Sequence, residues 1–345
     1  MEIEQALKVE LLEQVKNWNK AAELQSIQTI TPDASLRRYY RLELSGAGPT
    51  KTIVAMVFDS VKAAEAEGGQ TYLADQAYCE LAELFYRANI PVAELLTGQP
   101  GQRIFLLEDL GDNILGSLFE HCPTIIEHYK SAISVLPRLQ SLQCIPHKIP
   151  FSRSFSKDLY LKEMDEFQVY FLKAHVPAGI IPTEQVSEAF VAIATRLAEL
   201  PKVVVHRDYH SWNLIIDQED QLRIIDFQDA LMGVRLYDLI SLLHDRDTDA
   251  LLGTERYQML KTYARETLQI PKEQFEFEFA LTALQRDLKV AGRFEKFAEE
   301  RGLTTYQRWV PGTFRRIRQA LKLLTEEFKL TELKSFSNHL EQIKL

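Results

Sequence analysis

Val203-Val-Val-His206-Arg207-Asp208-Tyr209-His210-Ser211-Trp212-Asn213-Leu-Ile-Ile216, the turn Asp217-Gln-Glu-Asp-Gln221, and Leu222-Arg-Ile-Ile225-Asp226-Phe227-Gln228-Asp229 decide the reading of this chain. The order is a buried apolar strand, a polar loop, a tight hairpin, and a second polar cluster where the hairpin ends. An antiparallel hairpin brings its two outer ends together. Asn213 and Asp226 are therefore expected side by side, with Asp208 near them across one loop.

On either side of this stretch the signals differ. Glu4 to Trp18 has apolar residues at helical spacing. Arg38 to Leu44 alternates, and Lys51 to Phe58 is nearly continuous in apolar residues. The Ser45-Gly-Ala-Gly-Pro49 turn between them predicts an antiparallel hairpin. A helix is expected over about 70–88, stopped by Asn89-Ile-Pro91. Arg103 to Glu108 reads as an edge strand leading out of this part. Helices are expected over roughly 124–143, 156–174 and 183–199, and again from about Tyr237 onward. The expected fold is α+β and bilobal, with residues 1–108 as a small β-rich lobe carrying one long helix. Residues 109–345 are expected to form a larger, mainly helical lobe.

The chain has 345 residues, 40 Lys+Arg against 49 Asp+Glu, and a net charge of −9. This balance speaks against a protein that tracks nucleic acid by neutralising many phosphates. No apolar run is long enough to span a bilayer, and the acidic N-terminus lacks the pattern of an export signal. The three cysteines, Cys79, Cys122 and Cys144, are too few and too dispersed for a disulfide framework. A cytoplasmic protein with no nucleic-acid or membrane partner is expected. Its oligomeric state is left open, leaning to a monomer.

The chemistry follows from the residue types in the opening stretch. Phosphoryl transfer needs a carboxylate to position the attacking hydroxyl and accept its proton. It also needs hard oxygen donors for the magnesium ions that offset phosphate charge. H-x-D-x-x-x-x-N followed by D-F is a pattern of that kind. It assigns Asp208 as base and Asn213 and Asp226 as magnesium ligands. The competing reading is a surface hairpin with ordinary turn carboxylates.

The sequence resembles the aminoglycoside-phosphotransferase-like and choline-kinase-like branch of the protein-kinase-like superfamily. The likeness is nearest to bacterial anomeric kinases of N-acetylmuramate and N-acetylglucosamine. Asp33-Ala-Ser-Leu-Arg-Arg-Tyr-Tyr-Arg41, Phe105-Leu-Leu-Glu-Asp-Leu-Gly111, His206 to Asn213, Ile225 to Ala230 and Gln285 to Phe294 carry it. The resemblance implies ATP and Mg2+ as cofactors and a small-molecule acceptor, an amino sugar above all, in peptidoglycan recycling. Ser35 would cover the nucleotide, and the Leu106–Asp109 segment, through Leu107, Glu108 and Asp109, would meet the adenine. Glu163 and Arg207 are candidate acceptor contacts, and Arg286 and Lys289 could face an acidic sugar. His206, His210, Gln228, Asp229 and Asp238 are expected to support the site.

Met56 departs from the pattern, because kinases place a phosphate-binding Lys on this third strand. Arg37, Arg38 and Arg41, on the neighbouring strand, could meet phosphate, and of these Arg38 or Arg41 is expected to supply the cation instead, with Glu80 or Glu83 as its helix partner. Two alternatives stand beside the sugar-kinase reading. One is a kinase of the same fold acting on choline, homoserine or an aminoglycoside. The other is a non-catalytic, kinase-like nucleotide-binding protein.

Overall fold

The computed structural model describes residues 4–30, 37–58, 63–64, 72–119, 121–177 and 179–345. Helix α1 (Gln5–Trp18) turns Leu7, Leu11 and Val15 inward, one per turn of its i, i+4 ridge. They pack on Tyr40, Leu42 and Leu44, alternate residues of β2 (Arg38–Ser45). Strand β1 (Glu23–Ile30) pairs antiparallel with β2, and β2 with β3 (Thr52–Val57). Beyond a two-residue ladder of β4 (Ala63–Ala64) and β5 (Tyr72–Leu73), α2 (Ala74–Arg87) covers the other side. Strands β6 (Leu95–Thr97) and β7 (Ile104–Glu108) complete a five-stranded sheet of order β1-β2-β3-β7-β6.

Two details of this sheet differ from expectation. Strand β7 is not an edge, because β3 pairs with it on one side and β6 on the other. Strand β1 escapes period-2 reading because its apolar residues Leu24, Ile27 and Ile30 fall three apart, and the pairing shifts register between Leu24 and Ser26.

The rest is mostly helical: α3 (Ile125–Gln140), α4 (Lys157–Glu166), α5 (Lys173–His175), α6 (Thr183–Glu199), α7 (Tyr237–Leu243), α8 (Thr248–Thr267), α9 (Lys272–Arg301), α10 (Val310–Glu326) and α11 (Lys334–Glu341). A π-helical turn, Phe167–Leu172, joins α4 to α5. Helix α9 approaches it so closely that a Cβ on Gly292 would lie 2.3 Å from the backbone carbon of Glu166. Only glycine allows two backbones that distance.

Two short β ladders sit against these helices. β8 (Lys202–Val205) pairs with β11 (Leu231–Val234), and β9 (Leu214–Ile216) with β10 (Leu222–Ile224). One core joins both parts of the chain, since Met56, Tyr78 and Phe105 belong to the same cluster as Tyr209, Ile224 and Phe227. Arg223 of β10 adds a polar clamp, donating through Nη1 to Glu108 at 2.9 Å and through Nη2 to the Val92 carbonyl at 3.1 Å.

Candidate active site

Strand β8 delivers the chain into the loop 206–213. The carboxylate of Asp238, 1% exposed at the start of α7, accepts the backbone N–H of His206 at 2.7 Å and of Arg207 at 3.0 Å. These two bonds hold Arg207 at φ +78°, a left-handed conformation unusual for a side-chain-bearing residue. Burial pushes the Asp238 carboxyl up to about 7, against the pull of the two amides. Asp238→Ala would leave both N–H groups buried without acceptors, at about 1–3 kcal/mol each. Urea unfolding should show a loss of at least about 2 kcal/mol. A loss below about 0.5 kcal/mol would remove this anchoring role.

His206 closes the loop on the hairpin. Its Nε2–H donates to the Ile225 carbonyl at 3.0 Å, which assigns the tautomer because a carbonyl only accepts. Burial lowers the imidazole pKa despite the nearby Asp208 and Asp226, which keeps the ring neutral. The expected hairpin adjacency is present, with Ile225 N–H donating to the Asn213 carbonyl at 3.1 Å.

Asn213 donates its Nδ2 to the Asp208 carbonyl at 2.9 Å and lies 3.5 Å from His210 Nε2. An amide that donates on one side presents its oxygen on the other. Asp226, at φ +62°, offers a carboxylate whose side chain is 37% exposed. Gln228 Nε2 bridges it to Asp229, at 3.0 and 3.1 Å. The donor set is therefore carboxylate and amide oxygen, which suits a hard divalent cation. Among the described residues, no group of three or more His, Cys, Asp or Glu side chains could hold a metal alone. A magnesium ion here would need phosphate oxygens or water to complete its shell.

Asp208 is half-buried at the loop's turn. Burial pushes its carboxyl up, but the positive charges of Lys289 and Arg207 lead the effects that outweigh this and hold it below the usual carboxylate value. Beside it, Glu163 of α4 is 5% exposed. Its Oε1 accepts from Lys289 Nζ at 2.7 Å and Arg207 Nη2 at 3.2 Å, and its Oε2 from Gln285 Nε2 at 3.1 Å. Burial raises the Glu163 pKa, yet Lys289 and Arg207 bring it below its ordinary value, so it stays ionised. Lys289 also donates to the Tyr237 hydroxyl at 3.1 Å. Arg286, expected to face an acceptor, is instead 7% exposed beneath this layer and donates Nε to Ser241 Oγ at 2.8 Å.

The β-sheet side of the site alters several expectations. Tyr40, Leu42 and Leu44 bury one face of β2 under α1, so Arg38 lies on that face, donating to the Tyr40 hydroxyl at 3.3 Å. It is therefore turned away from the cleft and cannot be the substitute cation there. Arg41 is on the cleft face, but its four bonds of 2.8–3.1 Å go to Asp109 and Asp112. The cation nearest Asp226 is Arg37, whose Nη2 is 3.5 Å from Oδ1.

Glu80 does not pair with a strand cation. It accepts from Gln76, from Lys148 and from the Ile149 N–H at 3.2 Å. Glu83 pairs with Arg87 on the surface. Glu108 is bound to Arg223 and to its own neighbour, the Glu94 N–H at 3.1 Å. Leu107 of β7 is paired with Val54 of β3 on one side and Leu95 of β6 on the other, so backbone groups open to a ligand must come from beyond Glu108. Ser35 and Asp33 lie outside the described residues.

A family model described as "Phosphotransferase enzyme family" matches residues 26–272. The chain belongs to the phosphotransferase enzyme family. This phosphotransferase is 26% identical over 310 residues to an N-acetylmuramate/N-acetylglucosamine kinase of Pseudomonas aeruginosa, covering 87% of this chain and 85% of the relative. Its fold is similar to that of a Plasmodium vivax ethanolamine kinase (TM-score 0.61, 12% identity, 95% of this chain and 92% of that one). It is also similar to an ADP-bound aminoglycoside phosphotransferase (TM-score 0.60, 14% identity, 91% and 98%). Both structural likenesses establish the bilobal protein-kinase-like fold of this phosphotransferase. Among the described residues, no helix is long and apolar enough to cross a membrane.

Proposed function

We propose that this phosphotransferase moves the γ-phosphoryl group of ATP to the anomeric hydroxyl of N-acetylmuramate or N-acetylglucosamine, in the cytoplasm, as a step of peptidoglycan recycling. The observation that carries the reading is that Asn213 holds the Asp208 carbonyl at 2.9 Å while its own carbonyl accepts the N–H of Ile225, next to Asp226. In this reading Asp208 orients the sugar hydroxyl and accepts its proton as the oxygen attacks phosphorus. Asn213 and Asp226 would hold magnesium, which supplies positive charge at the phosphate oxygens. His206 and Asp238 keep the loop in register. Gln228 fixes the direction of Asp226. The backbone just past Glu108, at Asp109 and Leu110, would meet the adenine.

The acceptor class follows from charge. A choline or aminoglycoside needs uncompensated carboxylates around its cationic groups. Here the carboxylate of Glu163 is already matched by Lys289, Arg207 and Gln285. Arg207 and Lys289 also face Asp208. This wall suits a neutral or anionic acceptor, and the curated relative's name supports an amino sugar.

The test is a product assay with ATP, magnesium and a panel of N-acetylmuramate, N-acetylglucosamine, choline, homoserine and an aminoglycoside. Phosphorus NMR would locate the new phosphate. A sugar 1-phosphate is the expected product. Preferential turnover of choline or the aminoglycoside would overturn the acceptor assignment, and no turnover of any alcohol would overturn the reaction.

A further inference from the structure

Kinases of this fold class use a lysine on the third strand to hold nucleotide phosphates. Here that strand carries Met56 at its interior position, with 0% exposure. Its register partner on β2 is Tyr39, two residues beyond Arg37. Because side chains alternate along a strand, Arg37, Tyr39 and Arg41 share the cleft face. Arg37 Nη1 lies 3.9 Å from the Met56 sulfur, so the guanidinium sits directly over the place a lysine stem would fill. Its Nη2 reaches to 3.5 Å from Asp226 Oδ1, a separation longer than a close charge-assisted hydrogen bond. The Arg37 side chain is only 17% exposed and faces Asp226, whereas Arg41 faces Asp109 and Asp112 and Arg38 lies on the opposite face.

We propose that Arg37 is the phosphate-binding cation of this enzyme, reaching across the cleft from the residue just before β2 in place of the third-strand lysine. This rests on the nucleotide-dependent reading given above. A guanidinium can grip two phosphate oxygens at once, which a lysine cannot. Its approach to Asp226 places it where the phosphates and their metal ligand must meet. Without nucleotide, the same contact partly balances the Asp226 charge.

Calorimetric titration of ATP and ADP, with magnesium and again with EDTA, tests this directly. Arg37→Met should weaken ATP binding about 10- to 100-fold, the range for losing charge-assisted hydrogen bonds. The deficit should persist in EDTA, because it does not pass through the metal. Arg37→Lys should recover part of the affinity. The KM for the acceptor should stay within about two-fold while the KM for ATP rises, a split that general misfolding would not produce. Thermal unfolding of both variants checks that each is folded.

ATP binding within about two-fold of wild type in a folded Arg37→Met would overturn the assignment while leaving the function intact. A loss in Arg38→Ala instead of Arg37→Met would overturn it as well. A wild-type protein that binds no nucleoside triphosphate would overturn both the assignment and the function on which it rests.

Discussion

Asp208→Asn should lower kcat about 10³-fold, within the 10²–10⁴ range for losing a positioned general base. The KM for ATP should change little. The amide keeps the volume of the carboxylate but cannot take a proton. The backbone carbonyl that anchors Asn213 is untouched by the substitution. The pH profile is a second check. Lys289 and Arg207 hold the Asp208 pKa below its ordinary value, overcoming burial. A lowered carboxylate pKa means the base stays ionised through and above the ordinary carboxylate range and is lost only on stronger acidification. Wild-type kcat/KM should therefore show no acid limb from Asp208 between pH 5 and 8. A variant retaining more than about a tenth of wild-type kcat would exclude Asp208 as the base.

Asp287→Ala should unfold the helical part of the chain more readily than any surface change. Asp287 is 0% exposed. It accepts from His244 Nδ1 at 2.9 Å and lies 3.4 Å from the guanidinium of Arg316. The carboxylate can only accept, so His244 donates from Nδ1 and its Nε2 accepts a hydrogen bond from the Tyr257 hydroxyl at 2.7 Å. Burial lowers the His244 pKa, so the ring is neutral and Arg316 carries the charge that Asp287 balances.

This network ties the end of α7 to α8, α9 and α10. Next to His244 in the chain, Asp245 accepts from Ser211 Oγ of the 206–213 loop at 2.8 Å. Removing the carboxylate leaves Arg316 3% exposed, with Asp249 as its remaining acidic partner. Breaking a buried pair in this way costs about 3–5 kcal/mol. Asp287→Asn keeps one acceptor oxygen and should cost less. Urea unfolding that shows less than about 1 kcal/mol for Asp287→Ala would mean that Asp249 alone can balance Arg316.

The sequence alone determined that Asn213 and Asp226 lie at neighbouring strand ends, because all parts of that arrangement are local. The strand, loop and hairpin occupy fewer than thirty consecutive residues, and antiparallel pairing leaves Asn213 and Asp226 little choice but to meet. The helices beyond residue 120 were legible for a similar reason: their apolar residues repeat at the helical period. Strand β11 was not, since Leu231–Val234 gains its partner only by folding back on β8.

Only the tertiary structure decided which charges share the cleft. Period-2 alternation separates Arg37 and Arg41 from Arg38. Which set faces inward depends on α1 covering Tyr40, Leu42 and Leu44. Lys289 meets Glu163 across 126 residues, through the packing of α9 on α4. A charge has no sequence period to announce its partner. Its place is set by the apolar faces of the elements that carry it, and those faces meet only when the chain is folded.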